Sequence, residues 1–376
     1  MSDETILTGA TLVLPGTVLV GTLVIRGGRI AEVQPGRSAA PGAIGLDGDF
    51  LLPGLVDLHT DNLERQVQPR LNARWPSRSA MVAHDVQCAA AGVTTVLDAL
   101  CLDDLGFDKD RVRTFREGVA DLDVLSDAGL LRAEHYLHLR CEVPAPEMLG
   151  LFDPVAEHPL VRMVSLMDHT PGVGQYADLD RYRSLRRDSG IDPQETERRI
   201  VELQAQRVRL RGPNRRALLA RLAGRRVAIA SHDDRTADEV VENAADGITI
   251  SEFPVTLEAA RAARARGMAV IAGAPNLVRG GSHSGNVGAA ALLASGAVDA
   301  LASDYVPASL IEAAFHPAAG ALPAAVARVS DGPARLARLA DRGRLAPGLR
   351  ADLVRVRLYQ SLPVVRAVWR AGERVA

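Results

Sequence analysis

The sequence predicts an α/β protein: a closed parallel barrel of eight βα units, a TIM (β/α)8 barrel, with a small β structure made from both chain ends. Three observations lead there. From residue 51 onward, short apolar runs alternate with helical segments about eight times, the pattern of a parallel sheet. Most of those runs end in a polar or ionisable residue, as barrel strands do where their carboxyl ends carry chemistry. No Gly-x-Gly-x-x-Gly follows the first run, which counts against a doubly wound open sheet, the alternative fold.

Taken in order, residues 1–50 read as short strands over 6–7, 11–14, 18–26 and 29–33, with Gly27-Gly28 marking a hairpin. The first barrel strand is expected over 51–58, running into His59, Thr60, Asp61 and Asn62. A helix over 79–91 stops at Gly92, and a second strand over 93–97 ends at Asp98. After a helix over 107–128 comes a third strand over 135–143 with Glu142 near its end. The fourth, 161–167, ends at Asp168 and His169. The fifth, 226–230, leads to Ser231, His232, Asp233 and Asp234. The sixth, 247–250, leads to Ser251 and Glu252, and the seventh, 269–272, to Gly273. The eighth, 297–302, ends at Ser303 and Asp304. Strand texture returns over 352–358 and 364–369, so the expected division is 1–50 and 345–376 as one small β domain around a barrel over 51–344. An insert over 176–225 is dense in Arg, with helix-like stretches over 195–209 and 217–222. It reads either as a solvated amphipathic hairpin or as a basic lid that meets an anionic substrate.

Composition narrows the function. The net charge is −2 and the pI about 6.5, which argues against bulk nucleic-acid binding. Cys88, Cys101 and Cys141 have no metal-type spacing and form no disulfide framework. The opening MSDETILTGA lacks a basic-then-apolar leader, and no run of 18 apolar residues occurs. The expectation is a cytoplasmic protein without a membrane partner, self-association being left open.

His59 and Asp61 lie two residues apart, so strand alternation can aim both into the barrel mouth. With Glu142, His232, Glu252 and Asp304 they make a set of imidazoles and hard carboxylates that suits one or two divalent ions, Zn, Mn or Fe, better than thiolate chemistry. A binuclear centre needs a bridging carboxylate. Lys109 is the only lysine and sits at no strand end, so Glu142 is the candidate bridge rather than a carbamylated lysine. Asp304 is the candidate base, and His169 a further ligand or a donor to the substrate. Asp98 is either another ligand or a cap, Glu252 either a ligand or an orienting group, and His84, His135 and His138 read as packing residues. After the seventh strand, Arg279, Ser282, His283 and Asn286 surround Gly280-Gly281 and precede an Ala-rich helix over 287–293. Such a loop suits the binding of phosphate oxygens.

Seven stretches then stand out together: HTDN at 59–62, RAEHYLHLRCEV at 132–143, SLMDHTPG at 165–172, ASHDD at 230–234, EFPVTLEAA at 252–260, GAPNLVRGGSHSGNV at 273–287 and SDYVPASL at 303–310. The chain resembles the alpha-D-ribose 1-methylphosphonate 5-triphosphate diphosphatase family of the amidohydrolase superfamily. That resemblance implies hydrolysis of a small-molecule triphosphate to the 5-phosphate and pyrophosphate, in the carbon–phosphorus lyase pathway of phosphonate breakdown. Many superfamily members carry His-x-His on the first strand and His on the sixth, where this chain has His59-Thr60-Asp61 and Glu252. Two rivals remain: hydrolysis of an amide or cyclic amide, and a non-catalytic barrel scaffold.

Overall fold

A computed structural model describes residues 4–70, 73–103, 105, 110–282 and 285–376. Five strands open the chain: β1 (Glu4–Leu14), β2 (Thr17–Arg26), β3 (Arg29–Pro35), β4 (Ile44–Gly45) and β5 (Phe50–Pro53). Eight follow in the middle: β6 (Leu55–Thr60), β7 (Val93–Leu102), β8 (Glu134–Glu142), β9 (Val161–Met167), β10 (Ala228–His232), β11 (Ile250–Glu252), β12 (Ala269–Gly273) and β13 (Ala300–Ala302). Three close the chain: β14 (Leu353–Tyr359), β15 (Leu362–Arg370) and β16 (Glu373–Arg374).

β6 to β13 pair in sequence order, each parallel to the next. The ring closes at its carboxyl end. There Asp304 N–H donates to the His59 carbonyl at 2.9 Å and Asp61 N–H to the Asp304 carbonyl at 2.7 Å. Residues of the first and last strands are thus placed side by side by the backbone itself. Small and branched side chains such as Leu58, Leu97, Met163, Ala230, Ile250, Ile271 and Ala302 fill the interior, as in a packed barrel rather than a pore. A second sheet runs β16-β15-β14-β5-β1-β2-β3, with β4 beside β1. Both chain ends build it, as their strand texture leads one to expect. Among the described residues no helix is long and apolar enough to cross a membrane.

Several bounds depart from the sequence reading: the fifth and sixth strands start later and run on to include His232 and Glu252, and four further details bear on the site. The run expected as one strand over 51–58 divides at Gly54 between the two sheets. Gly54 N–H donates to the Asp352 carbonyl at 2.7 Å, and a Cβ there would collide with the Thr94 hydroxyl and the Asp352 side chain. β7 continues to Leu102, so Asp98 lies inside a strand, not at its end. The insert's main helix, Pro193–Leu222, runs 30 residues straight through Pro213. Proline removes one backbone donor, and packing compensates. Next to it Asn214 donates to the Val143 and Ala145 carbonyls at 3.0 and 2.9 Å, and Arg215 bonds to Asp246 at 2.7 Å. Finally, the helix expected over 287–293 is the six-residue Ala289–Ala294, too short for its N-terminus to count as an anion site.

Candidate active site

A cavity of about 440 Å3 opens at the carboxyl ends of the barrel strands. His59, Asp61, Glu142, His169, His232, Asp233 and Asp304 line it, with Ser282 and Asn286 from the loop after β12. Three of the turns that carry these groups hold non-glycine residues in the left-handed region: Asp233 (φ 57°), Phe253 (φ 52°) and Asp304 (φ 54°). Asp tolerates this conformation better than most residues; a phenylalanine there is strained, and such strain concentrates at functional sites. The Phe253 ring lies against His59 and His232, with centroids 5.0 and 5.4 Å away.

Two imidazoles are held in the same way. His59 Nδ1 meets Glu252 Oε1 at 2.9 Å, leaving Nε2 3.4 Å from Asp61 Oδ1. His169 Nδ1 meets Glu142 Oε2 at 2.6 Å, leaving Nε2 3.6 Å from Asp233 Oδ2. A carboxylate on one ring nitrogen fixes the tautomer and aims the other nitrogen outward, the usual arrangement behind a metal-ligating histidine. Glu252 is fully engaged, since Oε2 also accepts from the Ser165 hydroxyl at 2.6 Å. His138 in turn contacts Ser165 and bonds through Nδ1 to the Leu58 carbonyl at 2.9 Å. Glu142 accepts the His169 backbone N–H at 2.7 Å as well. Unlike Glu252, however, it borders the open cavity.

The electrostatics call for added positive charge. Burial disfavours a protonated His59, yet the Glu252 and Asp61 carboxylates outweigh it and hold its pKa up at about 10. Burial likewise opposes protonation of His169, and Glu142 and Asp233 raise it to about 9. Asp304 is pushed up to about 6 by burial and by the neighbouring Asp61 carboxylate. Asp61 itself is half-buried, which pushes its carboxyl up, but the Arg140 guanidinium, 2.6 Å away, outweighs this and holds it well below the usual carboxylate range.

A cation fits the donor atoms. Ligand atoms lie within 4.8 Å of one another in His59/Asp61/Asp304, in His59/His232/Glu252 and in His169/His232/Asp233. Both ring nitrogens of His232 are themselves buried and lack a hydrogen-bond partner among the described residues. Its Nδ1 stands 2.9 Å from Asp233 Oδ2 without the alignment of a hydrogen bond. Buried ring nitrogens without a hydrogen bond are costly unless something else binds them.

Not every expected residue joins the cavity. Arg279 is exposed and reaches the Tyr305 hydroxyl at 3.4 Å without lining the cavity. His283 lies outside the described residues. Asp98 faces the helix layer, where it binds His84 at 2.7 Å and His135 at 2.9 Å. His84 also meets Asn62 at 3.0 Å, so this buried network braces the segment just after Asp61. Asp61 occupies the position before the helix Asn62–Val67 but its side chain makes no cap.

The sequence reading passed over Asp233, Arg111, Arg140, Tyr176, Arg186 and Tyr305, all of which line the cavity. Arg140 had a signal: it shares strand parity with Glu142. Arg186 falls in the arginine-dense insert whose alternative reading is a basic lid, although nothing marks it among its neighbours; Arg111 had no signal beyond the general abundance of arginine.

No family model matches the chain. Solved structures share the fold at low identity. The N-acetyl-D-glucosamine-6-phosphate deacetylase of Mycobacterium smegmatis is 20% identical with a TM-score of 0.64, covering 99% of this chain and 100% of that one. An enamidase described as a member of the amidohydrolase superfamily is 14% identical with a TM-score of 0.61, covering 99% and 96%. A much nearer relative is the alpha-D-ribose 1-methylphosphonate 5-triphosphate diphosphatase of Escherichia coli (strain K12), 42% identical over 376 residues, covering 98% of this chain and 100% of that protein. The chain belongs to the alpha-D-ribose 1-methylphosphonate 5-triphosphate diphosphatase family.

Proposed function

We propose that the chain is a metal-dependent hydrolase that cleaves alpha-D-ribose 1-methylphosphonate 5-triphosphate to the 5-phosphate and pyrophosphate. The single observation that carries this is the 42% identity to a diphosphatase along nearly the whole chain. The donor atoms that meet at the barrel rim support it.

His59, Asp61 and Asp304 would hold one divalent ion, and His169, His232 and Asp233 a second, with Glu142 at the cavity wall placed to join either. Zn, Mn or Fe suits these ligands. When bound, such an ion lowers the pKa of its water toward about 7 and neutralises charge on the phosphate oxygens. Glu252 keeps His59 aimed at the ion and, lying behind the cavity wall rather than on it, is an orienting group in this reading, not a ligand. Asp304 takes the proton of the attacking water. Ser282 and Asn286 hold phosphate oxygens so that the water, phosphorus and departing pyrophosphate lie in line. Positioning and charge neutralisation supply most of the acceleration in such reactions.

The test is an assay of the metal-loaded protein for pyrophosphate release from the ribose triphosphate, beside ammonia and acetate release from amides. Pyrophosphate release alone is expected. Amide hydrolysis without pyrophosphate release would move the chemistry to another bond.

A further inference from the structure

We infer that the arginine-rich insert is a fixed roof whose Arg186 grips the outer phosphates of the substrate, making the insert the part of the chain that selects a polyphosphate. This rests on the proposed triphosphate reaction and names a residue for it.

The roof is solvated on its outer face and anchored along its inner one, where Ile200, Leu203, Leu218 and Leu222 are buried. Along the helix Pro193–Leu222, Gln204 donates to the Pro171 carbonyl at 3.1 Å, Gln206 to the Pro144 carbonyl at 3.0 Å, and Arg207 to Asp168 at 2.6 Å. With Asn214 on Val143 and Ala145, these bonds tie it to the loops that leave β8, which ends in Glu142, and β9, which His169 follows. In front of it lies the helix Leu179–Asp188, begun by Asp178, whose side chain caps the N–H groups of Asp180 and Arg181. This shorter helix reaches the loop after β12. Gly285 there has φ +72°, and a Cβ on it would run into the Arg181 guanidinium. Roof and glycine-rich loop are therefore in close contact, and the absent side chain at 285 permits it.

Between them they form two sides of one cavity. Ser282 and Asn286 line it from the loop, Tyr176 and Arg186 from the insert, with Gln175 just before it. Among the described lining residues the guanidinium groups are Arg111, Arg140 and Arg186. Arg140 projects from β8 and Arg111 from the helix Asp110–Asp127 after β7, both on the barrel side. Arg186 is the charged group that the roof contributes. Arginine can fork onto two phosphate oxygens. In the proposed reaction the outer two phosphates leave together, so a grip on them can strengthen as charge moves onto the leaving group.

Binding of inorganic pyrophosphate to the metal-loaded enzyme, measured by calorimetry, tests this apart from turnover. Arg186→Ala should weaken pyrophosphate binding by roughly 10- to 100-fold, the loss expected for hydrogen bonds to a charged group. Arg186→Lys should recover part of it, with both variants melting like the wild type. Arg335→Ala, an exposed residue paired with Asp331, serves as the control and should bind normally. Unchanged affinity in Arg186→Ala, or a wild type that does not bind pyrophosphate, overturns the inference. A wild type that binds pyrophosphate but releases none from the sugar triphosphate would instead defeat the reaction and leave the grip in place.

Discussion

Asp304→Asn should lower turnover by about 10²- to 10⁴-fold, the usual contribution of a positioned general base, while the protein still folds. The expectation follows from the backbone. Asp304 is pinned at φ 54° by paired hydrogen bonds with the His59 and Asp61 backbone, and asparagine accepts the left-handed region as readily as aspartate. The amide keeps an oxygen for the ion and loses the ability to take a proton. Turnover on the ribose triphosphate, read beside thermal unfolding, separates the two effects. Turnover near the wild-type value would remove Asp304 from the chemistry.

His232→Ala should be the other severe change. His232 belongs to the second proposed ligand set, with His169 and Asp233, and its donor atom also lies within reach of His59, so its loss strips a ligand from the middle of the site. A bound ion contributes several kcal/mol of transition-state stabilisation, and turnover should fall on the order of a thousandfold, together with metal content. Glu252→Gln is the informative partner. A glutamine can still accept from His59 Nδ1, so it should lower metal affinity by about 10- to 100-fold, as outer-shell changes do, without emptying the site. Equal metal loss in both variants would make Glu252 a ligand after all.

Much of this was legible in the residues. The alternation of apolar runs with helical segments located all eight barrel strands, because a strand buried on both faces needs a continuous apolar run. Its ends were read less well: β7 extends past Asp98 because the hydrophobic pattern continues to Leu102, and nothing in sequence separates an outward-facing buried aspartate from a strand terminus. The β5–β6 division was marked by Pro53-Gly54, yet which sheet each half joins depends on Asp352, some 300 residues away. Histidines and acids at strand ends were visible as candidates, since strand ends point at one rim. Their pairing was not: that Glu142 binds His169, and Glu252 binds His59, depends on where four separate strands lie in the ring. Arg279 looked like a phosphate ligand beside glycines, whereas the cavity takes its insert-side guanidinium from Arg186, a helix residue with no motif around it.

Dependence of pyrophosphate release on bound metal tests most directly whether these distant side chains act by holding a cation. After exhaustive chelation, release from the ribose triphosphate should fall to background and return as Zn, Mn or Fe is added back to one or two equivalents per chain. Undiminished release from protein shown by elemental analysis to be metal-free would contradict it.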